Sequence, residues 1–260
     1  MSRCLRPFLF SARVQVLRAL GDEFLFVIAL VQPFAIGLAA IFMLRHRADF
    51  EAVYAVVGAG LTALFSLILF GGTGTITNLR FSGNLEHLVA APVPLIVVVG
   101  GQIMGSVALV LVPMLVSYGL GAWLFGYPIA IRDPAGFTVS VLLALLSLWA
   151  MGLLFAPLAI LWPAVNSVLG ALEYPVYVLC GFLFPVLLLP GWLQPLGQLL
   201  APYWAAYALH GTSSGSLTAP ELALAWLLLL ALTAATLVLA AWLFDLFLAR
   251  AQRDGSLAAL

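Results

Sequence analysis

The chain has 260 residues, 65% of them hydrophobic and only 8% charged, with zero net charge and a mean hydropathy of +1.19. A soluble domain carries roughly a quarter charged residues, and a fold of this size still exposes much of its surface to water, so a soluble protein is excluded. Zero net charge without a basic cluster likewise excludes nucleic acid as a partner.

The first residues, 1–22, read as an interfacial helix. Ser11, Gln15, Arg18 and Asp22 share one helical face, and Leu9, Ala12, Val16 and Leu20 share the opposite one. Arg13 falls on the apolar side and has to snorkel. No signal-peptide cleavage pattern is present.

Six apolar spans follow: Phe24–Leu44, Val53–Thr77, Leu95–Phe125, Phe137–Leu161, Val168–Leu188 and Glu221–Phe244. Each is long enough to cross about 30 Å of hydrocarbon as a helix, and none alternates in polarity as barrel strands do. The expected fold is therefore an all-α integral membrane protein, one transmembrane domain over residues 1–260. Spans one to five occupy 24–188, an extracellular hairpin and loop 189–220, and span six 221–246. Even span number puts both termini on one side. That side holds Arg3, Arg6, Arg13, Arg18, Arg80, Arg250 and Arg253, against Arg45, Arg47 and Arg132 on the other. The arginine bias makes both termini cytoplasmic.

Two connections stand out. The cytoplasmic segment Leu79–Pro94 carries Arg80, Glu86 and His87 among apolar Leu85, Leu88 and Val89, as a short surface helix would. The extracellular segment Pro190–Ala208 is aromatic and apolar, yet Pro195 and Pro202 interrupt it. It suits a helical hairpin dipping into the outer leaflet with its backbone shielded by protein. Gly211–Leu217 reads as a polar, flexible loop.

Little in the chain carries bond-making chemistry. All ten basic residues are arginine, so the lysine of a P-loop is absent and any ATP is used by another polypeptide. His46, His87 and His210 fall on separate loops, which argues against a metal site. Cys4 and Cys180 give no disulfide or metal spacing. Glu173 is the one ionisable residue well inside a span, on a face with Asn166, Gly170, Tyr177 and Gly181. A carboxylate in lipid is costly and turns toward protein, water or a partner. Two readings stand for it: a small, polar face turned to a protein seam or a watery path, or an anchor near the cytoplasmic headgroups. Gly71–Thr77 and the Gly101-x-x-x-Gly105 pattern are suited to close helix contact.

The run Arg80-Phe-Ser-Gly83-Asn-Leu85-Glu86-His87-Leu88, followed by Pro92, resembles the segment after the second span of type-2 ABC-transporter permeases. Gly181-Phe-Leu-Phe184-Pro185, then Leu189-Pro190-Gly-Trp192-Leu193 and Pro202-Tyr203, is similar to that family's pattern around the end of span five. The resemblance implies a bacterial plasma-membrane exporter of drugs, lipids or glycans, not itself an enzyme. It implies a second permease copy or a similar permease, surrounding membrane lipid, and a separate cytoplasmic ATPase that binds ATP and Mg. This chain would hold no cofactor or metal of its own. Gly83, Leu85, Glu86, His87 and Leu88 would form the coupling helix against that ATPase. Trp192, Leu193, Tyr203 and Trp204 would belong to the extracellular hairpin. Glu173, Tyr177, Gly181 and Phe184 would line the path or the dimer seam. An ion-gradient transporter or a membrane-embedded lipid-modifying enzyme are the alternatives. The first favours inverted repeats and several buried carboxylates, and the second a clustered acid, base or nucleophile. The sequence offers neither pattern.

Overall fold

The computed structural model describes residues 2–21, 52–81, 93–125, 131–161, 165–183, 186 and 189–254, with a few positions between 31 and 42. The first expected span, Phe24–Leu44, lies largely outside these residues. Helices make up the regular structure of the described residues: α1 (Ser2–Leu20), α2 (Ala52–Phe81), α3 (Leu95–Phe125), α4 (Pro134–Leu161), α5 (Val165–Leu179), α6 (Gln194–Gln198), α7 (Ala201–Ser214) and α8 (Ala219–Asp254). In so apolar a chain the helix is the element that satisfies every backbone polar group without water.

Local chemistry sets several ends. The Gly136 N–H donates to Asp133 Oδ1 at 3.0 Å, and Pro134 fills the first turn of α4, a side-chain cap ahead of a pre-set φ. At the start of α8, the Thr218 N–H and hydroxyl both donate to Glu221 Oε2, at 2.9 and 2.7 Å. That carboxylate reaching back is half of a capping box.

The core gathers around α2. Leu61, Leu64, Phe65 and Ile68 meet Val99 and Ile103 of α3 and Leu148 and Leu153 of α4. Gly152 lets Ile68 and Ile103 converge on α4 from two other helices. Helix α8 packs on α4 and α7, and α7 fills the space between α4, α8 and α2. Two indoles pin neighbouring helices. Trp149 Nε1 donates to the Gly100 carbonyl at 2.8 Å, and Trp226 Nε1 to Ser140 Oγ at 2.9 Å.

Outward faces are apolar. Leu142, Leu224, Leu227, Val238 and Trp242 are exposed. Pro134–Leu158 within α4 and Ala219–Leu246 within α8 are each long and apolar enough to cross a membrane, with mean hydropathy 2.3 and 2.5.

Helix α1 lies along α3. Gly101 faces the Phe8 carbonyl and Gly105 the Ala12 carbonyl, so the small-residue pattern in α3 receives α1. Gln15 Nε2 donates to Ser106 Oγ at 3.2 Å, and Ser11 is buried there. The polar face of α1 is thus turned partly onto protein, while Leu5, Leu9, Phe10 and Leu17 point outward beside the exposed Arg13.

Three expectations need correction. The fifth span was expected to run Val168–Leu188, but α5 stops at Leu179. Gly181 takes φ +68°; its N–H donates to the Val178 carbonyl at 3.2 Å and that of Phe182 to the Tyr177 carbonyl at 3.1 Å. This is a Schellman end, which needs a left-handed residue that glycine adopts without strain. The stretch Gly211–Leu217 was expected to be a flexible loop. Instead α7 continues through Ser214 and ends at Gly215, also at φ +68°, with the Ser216 N–H on the Gly211 carbonyl at 3.1 Å. His210 therefore sits on a helix and is buried, not on a loop.

Candidate functional site

The turn after α5 is the junction of the molecule. Gly58 of α2 lies directly under the Phe182 backbone, where a Cβ would collide. Phe182 is fully buried and packs edge-on against Phe65 and tilted against Tyr177, at 6.1 and 5.6 Å between centroids.

On α5 the expected pair Glu173 and Tyr177 comes together. Both are buried, and the Tyr177 hydroxyl bonds the Glu173 carboxyl while lying 3.1 Å from the Thr62 carbonyl of α2. These side chains turn into their own chain and tie α5 to α2. The opposite face of α5 is exposed, with Tyr174 69% accessible and Leu172 and Val178 beside it. Gly181 forms the helix end described above. Phe184 lies outside the described residues, as do Gly83, Leu85, Glu86, His87 and Leu88.

The expected hairpin is two helices, α6 and α7. Gly197 fits beneath the Leu179 carbonyl, which seats α6 on the end of α5. Trp204 Nε1 donates to the Gln198 carbonyl at 2.9 Å, and Tyr203 meets Trp204 edge-on at 5.1 Å. Leu193 and Tyr203 are half-buried, while Trp192 is 73% exposed.

Sequence reasoning passed over the cluster beside this hairpin. The Tyr54 ring of α2 stacks on His210 of α7, centroids 3.5 Å apart and nearly parallel. The Tyr54 hydroxyl donates to the Gly181 carbonyl at 3.1 Å, and His210 Nε2 donates to the Phe182 carbonyl at 3.2 Å. Burial pushes the His210 imidazole down to about 3, although the Phe182 and Gly181 carbonyls act the other way. The ring is neutral at physiological pH. Among the described residues none hydrogen-bonds its Nδ1, which is itself closed off from solvent.

Around this stack opens a cavity of about 520 Å³, bounded by α2, the α5 turn, α6, α7 and the loop into α8. Tyr203 and Tyr207 present nearly parallel rings 6.3 Å apart on one wall. A helix-ending glycine at 215 is the sequence signal that places His210 on α7, about one turn from Tyr207 and two from Tyr203. Among the described residues no group of His, Cys, Asp and Glu is arranged to hold a metal.

The family model for the ABC-2 type transporter matches residues 7–212. The chain belongs to that family: it is a membrane-embedded transport subunit of an ABC transporter. No curated protein matches the chain.

Proposed function

We propose that this chain is the permease subunit of an ATP-driven exporter in a bacterial plasma membrane, moving a bulky amphipathic drug, lipid or glycan. The observation that carries the reading is family membership over residues 7–212 in a chain without a single lysine. A P-loop cannot be built from it, so ATP and Mg are bound by a separate cytoplasmic ATPase. The protein has six spans in one domain over residues 1–260, both termini cytoplasmic, and α6–α7 as a re-entrant hairpin at the outer face. Apolar outward faces on α4 and α8 support that arrangement.

Two permeases pair, and α2 and α5 border the path. Glu173 and Tyr177 brace α5 against α2 behind the path, with Gly181 and Phe184 at its outer end. The exposed face around Leu172, Tyr174 and Val178 is the surface offered to the second permease. Gly83, Leu85, Glu86, His87 and Leu88 form the coupling element. Glu86 pairs with a basic group of the ATPase, and Leu85 and Leu88 fill a pocket beside it.

Purification from native cells in mild detergent tests this. A stoichiometric P-loop ATPase is expected to co-purify, and Glu86→Arg is expected to weaken its association at least tenfold. A chain that purifies without an ATPase contradicts the reading. Wild-type association retained in Glu86→Arg contradicts the coupling assignment alone.

A further inference from the structure

We propose that the outward face of α1 binds anionic phospholipid, with Arg6 and Arg13 taking the headgroup phosphates. The proposal rests on membrane embedding alone and stands apart from the exporter reading.

Packing fixes which side of α1 is left over. Phe8, Ser11 and Gln15 turn onto α3, where Gly100, Gly101 and Gly105 leave room for them. With that side spent, helical geometry points Leu5, Arg6, Leu9, Arg13 and Leu17 the other way, and all five are exposed. Arg6 and Arg13 stand seven residues apart, two turns and about 10 Å along one stripe. Leu5 and Leu9 flank the stripe on one side, Phe10 and Leu17 on the other, each more than half exposed.

Charge and apolarity together select the occupant. The first 21 residues hold four arginines and no Asp or Glu, so nothing within α1 neutralises the stripe. Apolar side chains around cations match the boundary of a bilayer, which offers acyl chain and phosphate side by side. The arginine stems can lie along the apolar surface while their heads reach outward, and a guanidinium engages two phosphate oxygens at once. A choline headgroup cancels its own phosphate charge, so an anionic headgroup is the better match. Placement agrees. Helix α3 has 31 residues, about 46 Å of helix against about 30 Å of hydrocarbon. Its ends therefore stand among headgroups, and α1 is fastened near its start by Gly101 and Gly105.

Fluorescence quenching in the reconstituted full-length chain tests this. In a Cys4→Ser background, Leu9→Cys carries a bimane label on the proposed face, and the buried Cys180 stays unlabelled. The vesicles are phosphatidylcholine, with a rising fraction replaced by dibrominated phosphatidylglycerol or, separately, dibrominated phosphatidylcholine. At about fivefold per arginine near an anionic surface, phosphatidylglycerol is expected to half-quench the label at a mole fraction roughly ten- to thirtyfold lower. Arg6→Gln and Arg13→Gln are each expected to lower that preference about fivefold, and the double variant to bring the two lipids level. Both sites are exposed, so the substitutions leave the packing intact, and the double lysine variant is expected to keep most of the preference. Arg18→Gln removes the same charge from the same helix, away from the stripe, and is expected to change little. Equal half-quenching by the two lipids overturns the proposal. So does a label that neither lipid quenches, which would mean that protein covers this face. An Arg18→Gln loss as large as those at Arg6 and Arg13 overturns it as well, because diffuse surface charge would then account for the preference.

Discussion

Helices α7 and α8 are neighbours in sequence and opposites in composition and placement. Ala219–Leu246 in α8 is the more apolar, yet only 22% of its most apolar stretch is buried. Helix α7 carries His210, Thr212 and Ser213, and all three are buried with Ala205, Ala206 and Ala208. In water the order would be reversed, because burial of apolar surface drives folding there. In lipid the apolar side chain is already in a favourable solvent, so small size and hydrogen bonding decide what goes inside. Hydropathy along this chain therefore reports contact with lipid, and the inner helix is found by its alanines, glycines and hydroxyls.

Variants can break that contrast. The largest effect is expected from Leu230→Arg on the outward face of α8. At an exposed site in water such a change alters stability by no more than about 0.5 kcal/mol. At a helix centre in lipid it costs about 3 kcal/mol, roughly a hundredfold in the inserted fraction. Quantitative immunoblotting of alkali-extracted membranes reads the difference, and wild-type yield would show that this face does not meet lipid.

Gly101→Val comes next. Its side chain would strike the Phe8 carbonyl, at a cost of about 1–3 kcal/mol for overpacking. Gly191→Ala meets nothing within 4 Å and serves as the control. Thermal unfolding in detergent should drop for the first and stay level for the second. Equal midpoints would mean that α1 is not held against α3.

The smallest effect is expected at Gly181→Ala. A side chain at φ +68° costs about 1–2 kcal/mol, and the same thermal assay should register a modest loss. No change would place the end of α5 elsewhere.

How legible this was depended on the kind of signal. Uncharged length located α2, α3, α4 and α8 well: Leu95–Phe125 coincides with α3, and Phe137–Leu161 lies within α4. The same signal failed at Val168–Leu188. Hydropathy continues through Phe182 to Leu188, whereas the backbone turns at Gly181 for a conformational reason that apolarity does not encode. His210 was misplaced likewise, since Thr212, Ser213 and Ser214 look like loop residues. Their hydroxyls instead donate back along α7, Thr212 to the Ala208 carbonyl at 2.7 Å and Ser214 to the His210 carbonyl at 2.8 Å. That local bonding lets hydroxyl residues sit inside a helix. The Glu173–Tyr177 pairing was visible as helical spacing, but its direction toward Thr62 depends on how α5 packs, which spacing leaves open.

The proposed orientation of six spans, with the proposed coupling loop inside and the α6–α7 hairpin outside, is tested most directly by labelling single cysteines in intact cells. In a Cys4→Ser background, His46→Cys and Ser216→Cys are expected to react with a membrane-impermeant maleimide, and Gly83→Cys only after the membrane is opened. Labelling of Gly83→Cys from outside, with His46→Cys and Ser216→Cys protected, would contradict the orientation and with it the assignment of an ATPase to the Gly83–Leu88 loop.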